Sequence, residues 1–359
     1  DDKKQADVIL LNTCSVRQHA EDRVFSELGS LKKLKAYGLG QKLRAKSHEP
    51  TAKHRQPVIG VIGCMAKNLG NEIIKRAPHI DLVVGPNDLA SIYELVEKAR
   101  KQKKHFVEIN SQIRDKSFYK HLYHKDKKHS YVNISEGCSN FCSYCVVPYV
   151  RGRHRSRPVE DIVKEVKQLV KDGVSSITLL GQNVNDYSSK AARNVEFVEL
   201  VEIISDIKGV KELGFVTSHP KDVDARLFDL MAQRKNIKKY LHLPVQSGSN
   251  RILKLMNRKY TREKYLKIVG QYRKKLPVGI LATDVIVGFS AETEKDFQET
   301  VDLIKEVEFN FAYLFKYSPR PHTKAQKFAD DVPQKEKQRR HAVLLNLQRE
   351  ISRKKKLNQ

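Results

Sequence analysis

The stretch "GCSNFCSYCVVPYVRG", residues 137–152, carries three of the five cysteines in a chain of 359 residues. Cys138, Cys142 and Cys145 follow the spacing C-x3-C-x2-C. Thiolates are soft ligands that select iron–sulfur clusters or zinc. A structural zinc asks for a fourth Cys or His at close spacing. His154, nine residues after Cys145 and set among arginines, is a poor candidate. Three thiolates on a four-iron cluster leave one iron open, able to bind a substrate or cofactor. The plainer reading, three unrelated buried thiols, sits badly with such clustering.

The surrounding composition narrows the class. The 68 Lys and Arg against 42 Asp and Glu give a formal net charge of +26, which favours a polyanionic partner such as nucleic acid. A solvated basic surface is the plainer alternative. No run approaches the roughly 18 apolar residues of a membrane span and no signal peptide opens the chain, so the reading is cytoplasmic with no membrane partner. In that compartment five cysteines point to metal binding or catalysis rather than disulfides.

On both sides of the cysteines, short apolar runs alternate with amphipathic segments, the pattern of α/β folds with parallel strands. Residues 1–103 read as strands at 6–13, 57–63 and 80–85, with helices near 16–35, 67–76 and 87–100. The polar stretch 38–56 reads as a surface insertion, and the basic, His-rich stretch 101–130 as a linker. Further on, strands are expected at 131–134, 176–180, 213–217, 239–243, 280–287 and 311–316. Helices separate them, the clearest in "RPVEDIVKEVKQLVKDG", where Val159, Ile162, Val163, Val166, Leu169 and Val170 mark one face. Six βα units in succession suit a partial parallel barrel, with a doubly wound sheet as the alternative; either places the site at the C-terminal strand ends. The last segment, from Gln334, reads as a basic helix with a stripe at Val343, Leu344, Leu347 and Ile351.

The C-x3-C-x2-C spacing, with Tyr144 before the last cysteine, resembles the signature of the radical S-adenosylmethionine (SAM) superfamily. "LLNTCSVR" (10–17), "GVIGCMA" (60–66), "EGCSNFCSYCVVPYVRGRHRSRP" (136–158), "LLGQNVNDY" (179–187), "TSHP" (217–220), "HLPVQSGSNRIL" (242–253) and "DVIVGFSAET" (284–293) occur in the order of its methylthiotransferase family. The resemblance covers nearly the whole chain. It implies an N-terminal Rossmann-like methylthiotransferase domain (1–103), a basic linker (104–123) and a partial (β/α)6 radical SAM core (124–359). It further implies an enzyme in which Cys138, Cys142 and Cys145 hold a [4Fe–4S] cluster whose open iron is chelated by S-adenosylmethionine, giving a 5′-deoxyadenosyl radical on reduction. The wording of the motifs is nearest the branch that adds a methylthio group to carbon 2 of N6-isopentenyladenosine beside the anticodon of tRNA. One SAM then serves as methyl donor and one as radical source. Sister branches act on threonylcarbamoyladenosine in tRNA or on a ribosomal protein. A non-catalytic RNA-binding iron–sulfur or zinc protein is the reading from another class.

The resemblance also gives Cys14 and Cys64 a role, as ligands of a second [4Fe–4S] cluster that carries or relays sulfur. The family's third ligand belongs to a strand expected to precede residue 1, and its C-terminal RNA-binding TRAM domain to follow Gln359. Both are expected to be missing here, leaving the second cluster incomplete. As partners it implies tRNA and an electron-donor protein, with the chain as a monomer. Gln182, Asn183, Ser218, Gln246 and Glu292, at successive strand ends, are the expected cofactor contacts. Gln182 and Asn183 fit an ordinary turn equally well, His219 a capped turn, and Ser247 or Ser249 a helix N-cap. Where the family shows Pro-Gly, this chain has Ser290-Ala291, and Ala291 suits a positive φ less well than glycine. Arg151, Arg153, Arg155 and Arg157 alternate along a segment expected to be extended, sharing one side for tRNA phosphates or cofactor carboxylate.

Overall fold

The computed structural model describes residues 3, 5–15, 18–42, 56–102, 104–110, 128–190 and 194–357. It divides into two compact units, residues 1–122 with Tyr149–Gly152, and residues 123–148 with 153–359.

In the first unit, β1 (Val8–Thr13), α1 (Gln18–Lys42), β2 (Val58–Gly63), α2 (Cys64–Leu69), α3 (Asn71–Arg76), β3 (Leu82–Val84), α4 (Ile92–Lys101) and β4 (Phe106–Glu108) follow in order. The four strands form one parallel sheet in chain order. Ile59, Val61 and Val83 pack with Leu28, Leu31 and Met65 in one cluster, and Val58, Leu82 and Val84 with Leu95 and Val96 in another. A parallel sheet with both faces covered needs strands apolar at every position, which is why "VIGVIG" does not alternate.

Three details differ from the sequence reading. Helix α1 runs to Lys42, through Gly38 and Gly40, so the stretch read as an insertion begins inside a helix. Once a helix is nucleated each further residue adds a hydrogen bond, and glycine costs only about 1 kcal/mol against alanine. The remainder of that stretch, 43–55, lies outside the described residues, as do 16–17 of the expected first helix and 111–127 of the expected linker. The helix expected at 67–76 begins at Cys64 and is broken at Gly70, whose φ is +48°. Within the stretch read as linker, Phe106–Glu108 forms β4 along β3.

The second unit contains β5 (His129–Asn133), β6 (Ser135–Glu136), α5 (Val147–Arg151, whose last three residues group with the first unit), β7 (Arg155–Ser156), α6 (Val159–Lys171), β8 (Ser176–Leu180), β9 (Ser188–Lys190), β10 (Asn194–Glu196), α7 (Phe197–Ser205), β11 (Glu212–Phe215), α8 (Arg226–Gln233), β12 (Tyr240–His242), α9 (Asn250–Leu255), α10 (Arg262–Lys275), β13 (Ile280–Val287), α11 (Glu294–Val307), β14 (Phe311–Lys316) and α12 (Gln334–Leu357). Strands β5, β8 and β11 pair in parallel, as do β12, β13 and β14, and a parallel bridge from Leu213 to Ile237 links the two sets. Neighbours in space are neighbours in sequence throughout. That is the order of a partial barrel, since a doubly wound sheet reverses direction at a switch point.

Helix α6 buries Val159, Ile162, Val166 and Leu169 against this barrel. Each such side chain contributes about 1.5–3 kcal/mol of apolar burial. Helix α12 closes the unit with Leu344 and Ile351 in the core and Leu347 packed on it. Val343 does not belong to that stripe: it is 38% exposed, because its neighbour Leu344 takes the core-facing position and adjacent helical residues point about 100° apart. Among the described residues no helix is long and apolar enough to cross a membrane.

Candidate active site

The barrel strands place three cysteines on the loop that follows β5 and β6. This loop is clamped by the end of α9. Ser143 donates from its N–H to Met256 O at 3.0 Å and from Oγ to Leu255 O at 2.8 Å. Asn257 Nδ2 donates to Phe141 O at 2.9 Å, and Cys145 N–H to Cys142 O at 2.9 Å. Phe141 sits at φ +47°, so the loop holds a non-glycine residue in the left-handed region between two of its cysteines. At the entrance to the loop, Gly137 N–H donates to Gln182 Oε1 at 2.6 Å, which ties the end of β8 to the cysteines.

Burial dominates the chemistry of the thiols. It raises the Cys138 pKa above its ordinary value, and pushes Cys145 up to about 12, with the neighbouring Cys142 adding in the same direction. The free Cys138 and Cys145 thiols are therefore protonated, and a metal must displace those protons to bind. Among the described residues no three His, Cys, Asp or Glu side chains converge as they would on a single metal ion. A four-iron cluster asks instead for thiolates at three separate irons.

Beyond the cysteines, the strand ends present buried polar atoms that have no protein partner among the described residues: Asn183 Oδ1, Ser218 Oγ, His219 Nε2 and Gln246 Oε1. Buried polar groups are ordinarily paired. His219 Nδ1 accepts the Lys221 N–H at 3.1 Å, which makes Nε2 the protonated nitrogen, and burial followed by the charges of Arg258, Lys221 and Lys264 lowers its pKa to about 2. A neutral imidazole thus offers one N–H donor beside two carbonyl acceptors and a hydroxyl. That set fits a ligand carrying amine, carboxylate and ribose hydroxyls, as SAM does. Thr217 and Gln246, at φ +70° and +74°, are held in the left-handed region at the same strand ends. For β-branched Thr217 that is a genuine outlier, the kind of backbone strain that accumulates at functional sites. A cavity of about 600 Å³ lies elsewhere in the barrel, lined by Tyr131, Thr178, Gly214, Tyr240 and Ile280.

Of the residues singled out from the sequence, Asn183, Ser218 and Gln246 lie buried at the strand ends. Asn183 Nδ2 also donates to Asp222 Oδ2 at 2.8 Å. Gln182 is engaged by the cysteine loop, as described. Glu292 belongs to the loop after β13: its Oε2 accepts from Gly288 N–H at 2.6 Å and from Arg340 Nη1 at 2.7 Å. Ser249 caps α9, while the Ser247 hydroxyl lies 3.3 Å from Thr300 Oγ1. Ala291 does adopt the positive φ, at +62°.

The arginines depart from the expected one-sided row. Arg151 ends the helix α5, and Arg155 lies in β7, so no single extended segment carries all four. Arg155 pairs with Glu136 at 3.4 Å and Arg157 with Glu165 at 2.7 Å, carboxylates that neutralise them within the fold. Arg153 is exposed and lies over the Phe141 ring at 5.6 Å.

In the first unit, Thr13 and Gly63 are paired at the last register position of β1 and β2. Cys14 and Cys64 therefore leave the sheet side by side. Gly63, at φ +96°, admits no side chain: an added Cβ would stand 2.7 Å from Thr13 O. Arg151, grouped with this unit, donates from Nε to Cys64 Sγ at 3.1 Å.

Arg258 and Tyr260, in "MNRKYT", escaped the sequence reading. Arg258 touches Cys142, yet one more arginine among 68 basic residues carries no signal in a single sequence.

Two family models match the chain, the radical SAM superfamily over residues 132–304 and "Uncharacterized protein family UPF0004" over residues 1–85. The tRNA-2-methylthio-N(6)-dimethylallyladenosine synthase of Clostridium botulinum is 42% identical over 359 residues, covering 99% of this chain and 76% of that one. The protein of that name from Caldicellulosiruptor saccharolyticus is 41% identical over 357 residues, covering 98% and 72%. Among solved structures, the radical SAM methyltransferase TsrM of Kitasatospora setae superposes with a TM-score of 0.60 at 12% identity, over 89% of this chain and 64% of that one. The cobalamin-dependent radical SAM enzyme OxsB gives 0.56 at 12% identity, over 94% and 48%. These structural likenesses speak to the fold. With cysteine loop, barrel order and sequence identity in agreement, this chain belongs to the radical SAM superfamily and, within it, to the tRNA-2-methylthio-N(6)-dimethylallyladenosine synthase family.

Proposed function

We propose that this protein attaches a methylthio group to carbon 2 of N6-isopentenyladenosine beside the anticodon of tRNA. The observation that carries the proposal is that three cysteines and buried polar atoms without a partner among the described residues all follow the C-terminal ends of barrel strands. Cys138, Cys142 and Cys145 hold a [4Fe–4S] cluster. Asn183, Ser218, His219 and Gln246 orient SAM, while Gln182 and Glu292 shape the loops that frame it. When bound, the cluster and SAM supply one-electron chemistry for attack on an unactivated C–H bond. The protein's part is to hold the reactants in a dry, polar-lined mouth and to keep His219 a neutral donor there.

Cys14 and Cys64 serve as two ligands of a second cluster, the support being their side-by-side exit from paired strands. Exposed Arg153 meets the tRNA backbone. The reading also calls for an electron-donor protein and for a monomer working in the cytoplasm, where tRNA is.

The test is anaerobic reconstitution followed by iron and zinc counting, then incubation with SAM, reductant and tRNA carrying either isopentenyladenosine or threonylcarbamoyladenosine. Formation of 5′-deoxyadenosine and a methylthio nucleoside from the first tRNA supports the proposal. Zinc at unit stoichiometry with SAM left intact would refute it, and product from the second tRNA alone would move the chain to a sister activity.

A further inference from the structure

We propose that Arg258 is the fixed counter-charge of the cysteine triad, a buried cation that raises the reduction potential of a cluster held there. The proposal rests on the reading of Cys138, Cys142 and Cys145 as cluster ligands.

Arg258 is only 4% exposed. Its Nη2 donates to Pro244 O at 2.7 Å, its Nε to the Tyr260 hydroxyl at 2.8 Å, and its Nη1 to Cys142 Sγ at 3.4 Å. Two of these partners are neutral. Among the described residues no carboxylate pairs with it; the groups that act on it electrostatically include Tyr260, Tyr144, Cys142 and Cys145. A buried charge is costly unless an opposite charge compensates it. Of its hydrogen-bond partners, Cys142 alone is a ligand of the proposed cluster. The field of Arg258 also extends across the mouth, where it helps keep His219 neutral.

The consequence is electrostatic. One-electron reduction adds one negative charge to the cluster and its thiolates, with no bond made or broken and the electron taken from the donor. A fixed cation at Cys142 stabilises that added charge in a low-dielectric setting. It also orients the thiolate, as partners beyond the ligand shell commonly do. Arg258 is thus a positioning and tuning residue that acts through Cys142.

The experiment uses the full chain with Cys14→Ala and Cys64→Ala, so that only the triad holds iron. After anaerobic reconstitution and iron counting, the midpoint potential is read by electron paramagnetic resonance at set potentials. For Arg258→Gln we expect the ratio of reduced to oxidised cluster at a fixed potential to fall about tenfold, a midpoint about 59 mV lower for one electron. Arg258→Lys, which keeps the charge, is expected to stay within about 1.5-fold of its parent, roughly 10 mV and a small fraction of that span. A loaded Arg258→Gln with an unchanged midpoint overturns the proposal, as does a Lys variant displaced as far as the Gln variant. Should Arg258→Gln fail to take up iron, the Lys variant decides. Loading with a parent-like midpoint supports the proposal, and failure to load assigns Arg258 to packing instead and overturns it. A parent that binds no four-iron cluster overturns the triad reading itself, and this proposal with it.

Discussion

Gln182 reaches from the end of β8 to the neck of the cysteine loop, where its Oε1 accepts the Gly137 N–H at 2.6 Å. Gly137 lies at φ +73°, so the chain turns into the cysteines through a residue that needs both glycine and this acceptor. Replacing Gln182 with Ala removes the acceptor and should cost about 1 kcal/mol in urea unfolding of the iron-free chain. Iron uptake should fall with it, while Gln182→Glu keeps the acceptor and both properties. Equal iron content in the Ala and Glu variants would contradict this coupling.

Cys145→Ala separates cluster chemistry from tRNA binding more cleanly than a change at Cys142, which also faces Arg258. The variant should lose the triad's iron and form no 5′-deoxyadenosine. Its affinity for tRNA should stay within about twofold, since the basic surface that neutralises phosphates is untouched. Filter binding at fixed salt checks the second half of the claim.

Glu292 and Arg340 form a buried pair at 2.7 Å, with both side chains under 7% exposed. Burial raises the Glu292 pKa, and the Gly288 N–H and Arg340 hold it back down. Arg340→Ala leaves the carboxyl buried without its cation and should cost about 3–5 kcal/mol. Glu292→Gln should cost less, because Arg340 retains Glu336 at 2.7 Å. Denaturant midpoints of the two variants give the comparison.

His219 makes stability depend on acid. Its folded-state pKa, lowered to about 2, lies below the ordinary value of 6.5. Its contribution is therefore complete above pH 6.5 and is lost as pH falls toward 2. The slope is about 1.4 kcal/mol per pH unit. Between pH 7.5 and pH 5.0 the unmodified chain should lose up to about 2 kcal/mol that His219→Asn does not lose. Parallel urea curves at the two pH values would expose a failure of this expectation.

Ala291 occupies φ +62°, with its N–H donating to Asp331 Oδ1 at 2.7 Å and its carbonyl accepting from Arg251. A left-handed residue with a Cβ costs roughly 1–2 kcal/mol, partly offset by the greater freedom of glycine in the unfolded chain. Ala291→Gly should stabilise the protein by about 0.5–1 kcal/mol, seen as a higher urea midpoint.

The departure at Ala291 could be seen in one sequence because a turn's chemistry is local. So could strands β13 and β14, whose bounds match their apolar runs residue for residue. The geometry of the four arginines could not be seen there, for the opposite reason. Glu136 and Glu165, which neutralise Arg155 and Arg157, come from the paired strand β6 and from helix α6. Nothing in an alternating run of arginines announces such partners.

The alternation of strands and helices, their parallel α/β class and the spacing of the cysteine triad follow from the chain itself, because periodicity, turn residues and ligand spacing are local properties. The choice of a barrel over a doubly wound sheet came from the strand order in space. Tertiary structure decided the rest. It brought the end of α9, more than a hundred residues away, onto the cysteine loop, and set Arg258 against Cys142. It left Ser218, His219 and Gln246 buried with polar atoms that have no partner among the described residues. Burial and the absence of a partner depend on everything packed around a group, so no single stretch of sequence encodes them.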